Sequence, residues 1–377
     1  MRKDFIIIGG GIAGASASYC LSAAGSTVLL EQEEHFGFHS SGRTAGQYTV
    51  GISADQMRAL AGASRAFLQS PPDGFCSTPL LEQRGNLTVA RNEQRPLLEQ
   101  LQARIIAAGG HAQLLDREAA NALFPALRPT MFDIGVHEAD AGDIDVNTLL
   151  HSYLRGARKN GAETTCKARV TSIQRLRGLW QVTTSAGTYA APIVINAAGG
   201  WSDALAAMAG VLPVGLVSYK RTAFTFGLLS GGMGADWPHV SSADNRWYVK
   251  PERGCFVGSP ADATPIEPAD VYPDELDVAQ GIFNIEEATT LRVGRPIGTW
   301  AGMRSFVSDR NPVCGARMDA SGFIWMAAQG GCGVLTSPAL GRVVAALAQQ
   351  RDLPDDLQRA GVTLDALSPE RSSLMRR

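Results

Sequence analysis

"FIIIGGGIAGASASYCLSAAGSTVLLEQ", residues 5–32, sets three glycines in the G-x-G-x-x-G register between two apolar runs. Phe5 to Ile8 is short and β-branched, the pattern of a buried strand. Gly9, Gly11 and Gly14 follow, and "ASASYCLSAAG" reads as a small-residue helix ending at Gly25. "TVLLE" is a second strand with Glu31 at its end, twenty residues after Gly11. Each part has a physical task. Gly9 permits a tight turn, Gly11 lets the backbone approach a pyrophosphate, and Gly14 lets helix and strand pack closely. The unpaired amides of the helix start favour phosphate charge. Glu31 can accept hydrogen bonds from ribose hydroxyls. With strand, turn, helix and acid in register, the unit predicts dinucleotide binding over a merely structural glycine turn.

Which dinucleotide is decided further along. "HFGFHSSGRTAGQYTV" (35–50) is a long small-residue loop where an NAD domain would usually proceed to its next helix. "FIWMAAQGGCGVLTSPALGRVVAALAQQ" (323–350) repeats the order strand, glycine turn, amphipathic helix. Its helix start, behind Gly330, Gly331 and Gly333, can face an anionic flavin ring. "APIVINAAGGWSD" (191–203) is a third strand-to-glycine element. Three separated segments meeting one ligand suit a long cofactor such as FAD.

These stretches resemble the D-amino acid oxidase and glycine oxidase family of FAD-dependent amine oxidoreductases. The likeness covers nearly the whole chain, through "IIIGGGIAG", "SSGRTAG", "NAAGGWSD", "WAGMRSFVSDRNPVCG" and "GGCGVLTSPALG". Within the family it is strongest to bacterial D-arginine dehydrogenases, at "SYKRTAF", "WYVKP", "IEEATTL" and "AAQGG". The resemblance implies an α/β fold: a Rossmann-like, glutathione-reductase-type FAD domain with a discontinuous α+β substrate domain on a mostly antiparallel sheet. The expected division is 1–84, 141–214 and 296–377 for FAD, and 85–140 and 215–295 for substrate. It further implies FAD contacts at Gly9, Gly11, Ile12, Ala13, Gly14, Glu31, Gln32, Ser41, Arg43, Thr44, Ala45, Val170, Ala198, Gly199, Trp201, Arg304, Gly330, Gly331, Gly333, Leu335 and Thr336.

For the substrate, "TWAGMRSFVSD" places Arg304 in an apolar stretch, where a guanidinium is costly unless an anion pairs with it. From the residues alone it is equally a structural ion pair or a surface arginine. The resemblance assigns it to the substrate α-carboxylate, which its planar fork can grip with two parallel bonds. By the same resemblance Arg221 is a second carboxylate contact and the Tyr248 hydroxyl a third; by pattern alone Tyr248 is core. The backbone carbonyl of Gly331 is implied as acceptor for the substrate amine. No His or carboxylate in these motifs stands out as a base.

Two positions depart from the D-arginine dehydrogenases. Their acidic residue for the distal guanidinium falls at Asn86, and their active-site histidine at Gln47. An amide cannot pair a guanidinium in a desolvated pocket, so neutral D-amino acids are the expected substrates. The flavin-linking cysteine of sarcosine oxidases falls at Gly302, so FAD is expected to be noncovalent. The predicted reaction is oxidative deamination by hydride transfer to flavin N5, giving an imino acid that hydrolyses to a 2-oxo acid and ammonia. Oxidation of secondary amines (sarcosine, D-proline) or of 2-hydroxy acids is the alternative, and a flavin-binding subunit or sensor remains open. The electron acceptor is left as a quinone, another carrier or oxygen.

The remaining composition narrows the class. The 377 residues carry a net charge of −2, which offers no basic field for nucleic acid and no polybasic membrane patch. No apolar run approaches the roughly 20 residues of a membrane span. A signal peptide fits "MRKDFIII" poorly, because glycines and a helix follow at once. The six cysteines are scattered without a C-x-x-C pair, which suits reduced thiols in the cytoplasm. His35 and His39 lack a third ligand, so no metal is expected.

Overall fold

The computed structural model describes residues 1–227 and 234–375. The opening unit forms as read: strand Phe5–Ile8, helix Ile12–Ser22, strand Thr27–Leu30. The helix stops three residues before Gly25, at Ser22. Both strands are buried at every position, as a parallel sheet covered on two faces requires. They sit within a six-stranded sheet ordered Val313–Ala316, Phe323–Ala327, Ile193–Asn196, Phe5–Ile8, Thr27–Leu30, Glu163–Thr165. Only the Val313–Ala316 edge is antiparallel. Helix Val146–Lys159, capped by Asp145 through the Thr148 amide, packs on this layer. The three-stranded meander Val170–Leu176, Leu179–Thr184, Gly187–Ala191 supplies the crossover into Ile193–Asn196.

Helix Gly333–Ala348 differs from its expected amphipathic character. Most of its residues are buried, because Ile12–Ser22 lies on one side and Asp55–Gln69 on another. Gly341 permits that approach, since a Cβ there would lie 3.1 Å from the Ser16 carbonyl oxygen.

The second sheet has nine strands, ordered Thr264–Ile266, Val217–Gly227, Cys255–Ser259, Tyr248–Glu252, His239–Ser242, Asn86–Ala90, Ile134–Glu138, Ala112–Asp116, with Gly298–Phe306 along Val217–Gly227. It is antiparallel except for the pairing of His239–Ser242 with Asn86–Ala90. Gly298–Phe306, which follows the expected boundary at 296, hydrogen-bonds along Val217–Gly227 of this sheet and not within the six-stranded one. Side chains alternate across this sheet. Leu87, Val240, Val249, Phe224 and Phe256 fill a core on one face with helix Glu275–Ala288. The other face carries Ala223, Tyr248 and Val257. A small sheet of Gln47–Tyr48, Gly142–Ile144 and Leu81–Gln83 completes the molecule.

Candidate active site

Two adjoining cavities run from the first glycine turn to the second sheet. The larger, about 250 Å³, is bordered by Gly9, Gly11, Glu31, Gln32, Ser41, Val170, Ala198, Gly199 and Trp201. The smaller, about 130 Å³, is bordered by Ile12, Ala13, Arg43, Thr44, Ala45, Arg221, Tyr248, Arg304, Gly330, Gly331 and Gly333. Gly11, Ser41 and Gly199 border both, so the cleft is continuous.

At the nucleotide end, Glu31 is held by two backbone donors, Gly10 N at 2.6 Å and Glu33 N at 2.9 Å. Burial raises its pKa, while those two amides pull it back down. The carboxylate is thereby fixed at the rim of the cavity with lone pairs left for ribose hydroxyls. Gly14 does not border the cleft; a Cβ on it would lie 1.8 Å from the Gly9 carbonyl oxygen. Only glycine lets the helix begin this close to the turn. Ser41 accepts from Ile12 N at 2.8 Å, tying the loop to the helix start. This turn, acid and helix start fit the ribose–pyrophosphate part of FAD.

Not every expected contact is free for a ligand. Arg43 is committed to an ion pair with Asp270 and to the carbonyls of Val271 and Ala301. Leu335 and Thr336 lie in the buried body of their helix, with Thr336 Oγ1 donating to the Cys332 carbonyl at 2.8 Å. Neither borders either cavity.

At the other end, strand register places the charged groups. Tyr219 pairs with Arg304 and Arg221 with Gly302, so both arginines leave the same face on diagonal positions. Val257 pairs with Thr225, and Ser259 with Tyr248, which puts Tyr248 on that face too. Gly331 gives Arg304 its course, since a Cβ there would lie 3.0 Å from Arg304 Nε. The bridge between Ser305 and Gly330 ties this loop to the nine-stranded sheet. Arg221 Nε is buried with no hydrogen-bond partner among the described residues. Burial and the neighbouring Arg304 charge lower the Arg221 pKa to about 10, against a partial offset from Tyr248 and Asp262. Among the described residues neither arginine makes an ion pair, a charge arrangement that suits an anion.

Gln47 and Asn86 do not border these cavities but meet at one residue that the sequence reading passed over. His239 Nδ1 lies 2.9 Å from Gln47 Nε2 and 2.7 Å from Asn86 Oδ1. The signal was the alternation His239, Val240, Ser241, which marks a strand with one polar face.

A cleft leading from a buried acid at a glycine turn to two arginines, neither ion-paired among the described residues, fits a flavoprotein oxidoreductase. The chain belongs to the FAD dependent oxidoreductase family, whose model matches residues 4–347, and FAD is its cofactor. It is 27% identical over 270 residues to human dimethylglycine dehydrogenase, mitochondrial, covering 69% of this chain and 30% of that protein. It thus spans less than a third of that relative. It is 24% identical to hydrogen cyanide synthase subunit HcnC of Pseudomonas aeruginosa, over 94% of both chains. Its fold is similar to L-proline dehydrogenase from P. horikoshii, with TM-score 0.85 and 20% identity over 98% of this chain and 97% of that one. Glycine oxidase from Geobacillus kaustophilus gives TM-score 0.84 at 21% identity over 98% and 99%. Among the described residues no helix is long and apolar enough to cross a membrane.

Proposed function

We propose that this chain oxidises α-amino acids at the Cα–N bond, preferring D-enantiomers with neutral side chains. The observation that carries this reading is the pair Arg221 and Arg304, which border one cavity and make no ion pair among the described residues, with Arg221 Nε buried and unpartnered there. In this reading the pair grips the substrate α-carboxylate and the Tyr248 hydroxyl donates to the same group. The Gly331 carbonyl accepts from the amine. Fixing both substituents of Cα orients its C–H bond and removes the entropy cost of finding that pose. Bound FAD supplies the hydride acceptor, and its electrons pass on to a quinone, another carrier or oxygen. Water hydrolyses the imino acid product to a 2-oxo acid and ammonia.

The cofactor is read as noncovalent. Gly302 offers no sulfur, and burial pushes the Cys332 thiol up to about 11, so no thiolate is at hand. Flavin should therefore stay in the supernatant when the protein is acid-precipitated.

The same carboxylate grip serves N-alkylated amino acids, and relatives named for dimethylglycine and proline keep that second reading in view. The test is anaerobic flavin bleaching by D- and L-amino acids, N-methyl amino acids and 2-hydroxy acids. Fastest bleaching by neutral D-amino acids is expected. Bleaching by N-methyl amino acids alone would install the second reading, and none by any amine would end both.

A further inference from the structure

The sheet face that carries Arg221 and Tyr248 continues past them. Tyr248 pairs with Ser241, and His239 stands two residues from Ser241, so its side chain shares that face. His239 pairs in turn with Asn86, and Asn86 with Glu138. The imidazole lies between the two amides of Gln47 and Asn86 and the cavity-lining tyrosine, 5.3 Å from the Tyr248 ring. All four residues come from separate strands, so this is a built polar wall and not a chance pair.

The wall is uncharged at its centre. Lys250, two residues beyond Tyr248, is buried and held by the Ala45 carbonyl at 2.8 Å, Asp143 at 2.9 Å and Glu252 at 2.8 Å. Burial and this ammonium keep His239 neutral, with its pKa pushed down to about 3. Nδ1 is occupied by the amides. The ring's remaining polar atom is Nε2, a donor in one tautomer and an acceptor in the other. The imidazole borders neither cavity itself and meets the smaller one through Tyr248; a polar atom at such a buried site penalises a partner that cannot hydrogen-bond.

We propose that His239 reads the substrate side chain, selecting uncharged hydroxyl- or carboxamide-bearing chains over apolar chains of the same shape. This deepens the amino acid reading and rests on it.

The experiment compares kcat/KM for D-threonine against D-valine and for D-glutamine against D-methionine. Each pair is close in shape and differs in hydrogen bonding. Wild type should favour the polar member about tenfold or more. His239→Leu should bring the ratio to about one or below, with the flavin spectrum and FAD affinity unchanged. His239→Gln, which keeps a polar head, should restore part of the preference. A wild-type ratio at or below one overturns the role of His239 without any variant, and so does a ratio that His239→Leu leaves unmoved. Failure of every α-amino acid to bleach the flavin overturns the amino acid reading and this inference with it.

Discussion

Arg304 stands diagonally across two paired strands from Arg221, because Arg304 opposes Tyr219 and Arg221 opposes Gly302. The Arg304 charge acts against that of Arg221, and among the described residues neither makes an ion pair. Gly302 leaves the position across from Arg221 free of a side chain, and Gly331 leaves room for Arg304 to pass. The arrangement makes sense once a carboxylate completes it.

Arg304→Lys keeps the charge and removes the planar fork. Steady-state kinetics with the best amino acid should show kcat/KM reduced about 100-fold, while FAD stays bound. Kinetics close to wild type would take Arg304 out of the carboxylate role.

Gly14→Ala forces a methyl group against the Gly9 carbonyl oxygen, 1.8 Å away in the present backbone. The helix must move off the turn that faces the pyrophosphate. The purified variant should hold less than one FAD per chain and melt several degrees lower, a cost of about 2 kcal/mol or more. Full flavin content with an unchanged Tm would contradict the close packing.

Much of the nucleotide site was legible because it is local. Strand, turn, helix and acid lie within 28 consecutive residues, and each follows from short-range geometry. Arg304 could be singled out because its neighbours are apolar. His239 could not, because its meaning depends on register across the strands of Tyr248, Asn86 and Glu138. The sheet that Gly298–Phe306 joins is not legible for the same reason: its partner Val217–Gly227 lies some seventy residues earlier, and strand pairing over that separation leaves no local mark. The helix Gly333–Ala348 looked amphipathic until two other helices covered it.

His239 also predicts an acid limb in the stability curve. Its pKa falls from 6.5 to about 3 on folding, so the unfolded chain binds the extra proton between those values. Stability from the neutral ring is complete above pH 6.5 and is lost as the pH falls toward 3. Glu31, Glu138 and Asp262, whose pKa values are raised by burial, act in the opposite sense, so the wild-type curve alone mixes the two. Comparing His239→Gln with wild type isolates the imidazole. The variant should lose about 2 kcal/mol less than wild type between pH 7.5 and 5, read from denaturant titrations. Parallel curves would show that His239 is not held neutral.

Asn86 offers the most demanding test of the substrate pocket. If its amide sets the distal end as uncharged, wild type should favour neutral D-amino acids over D-arginine. Asn86→Glu introduces a carboxylate where a guanidinium would lie, and should raise the kcat/KM ratio of D-arginine to D-leucine about tenfold. The gain is limited by two neighbours. His239, 2.7 Å from Asn86 Oδ1, can take up a proton and pair with the new carboxylate. Glu138, directly across the strand pair, repels it. Adding His239→Leu removes the first competitor, so the double variant should favour D-arginine more than the single, and more than the two changes summed. The measurement is the D-arginine to D-leucine ratio in wild type, both single variants and the double. A wild type that already prefers D-arginine strongly, or a ratio that none of the variants moves, would place the side-chain pocket elsewhere.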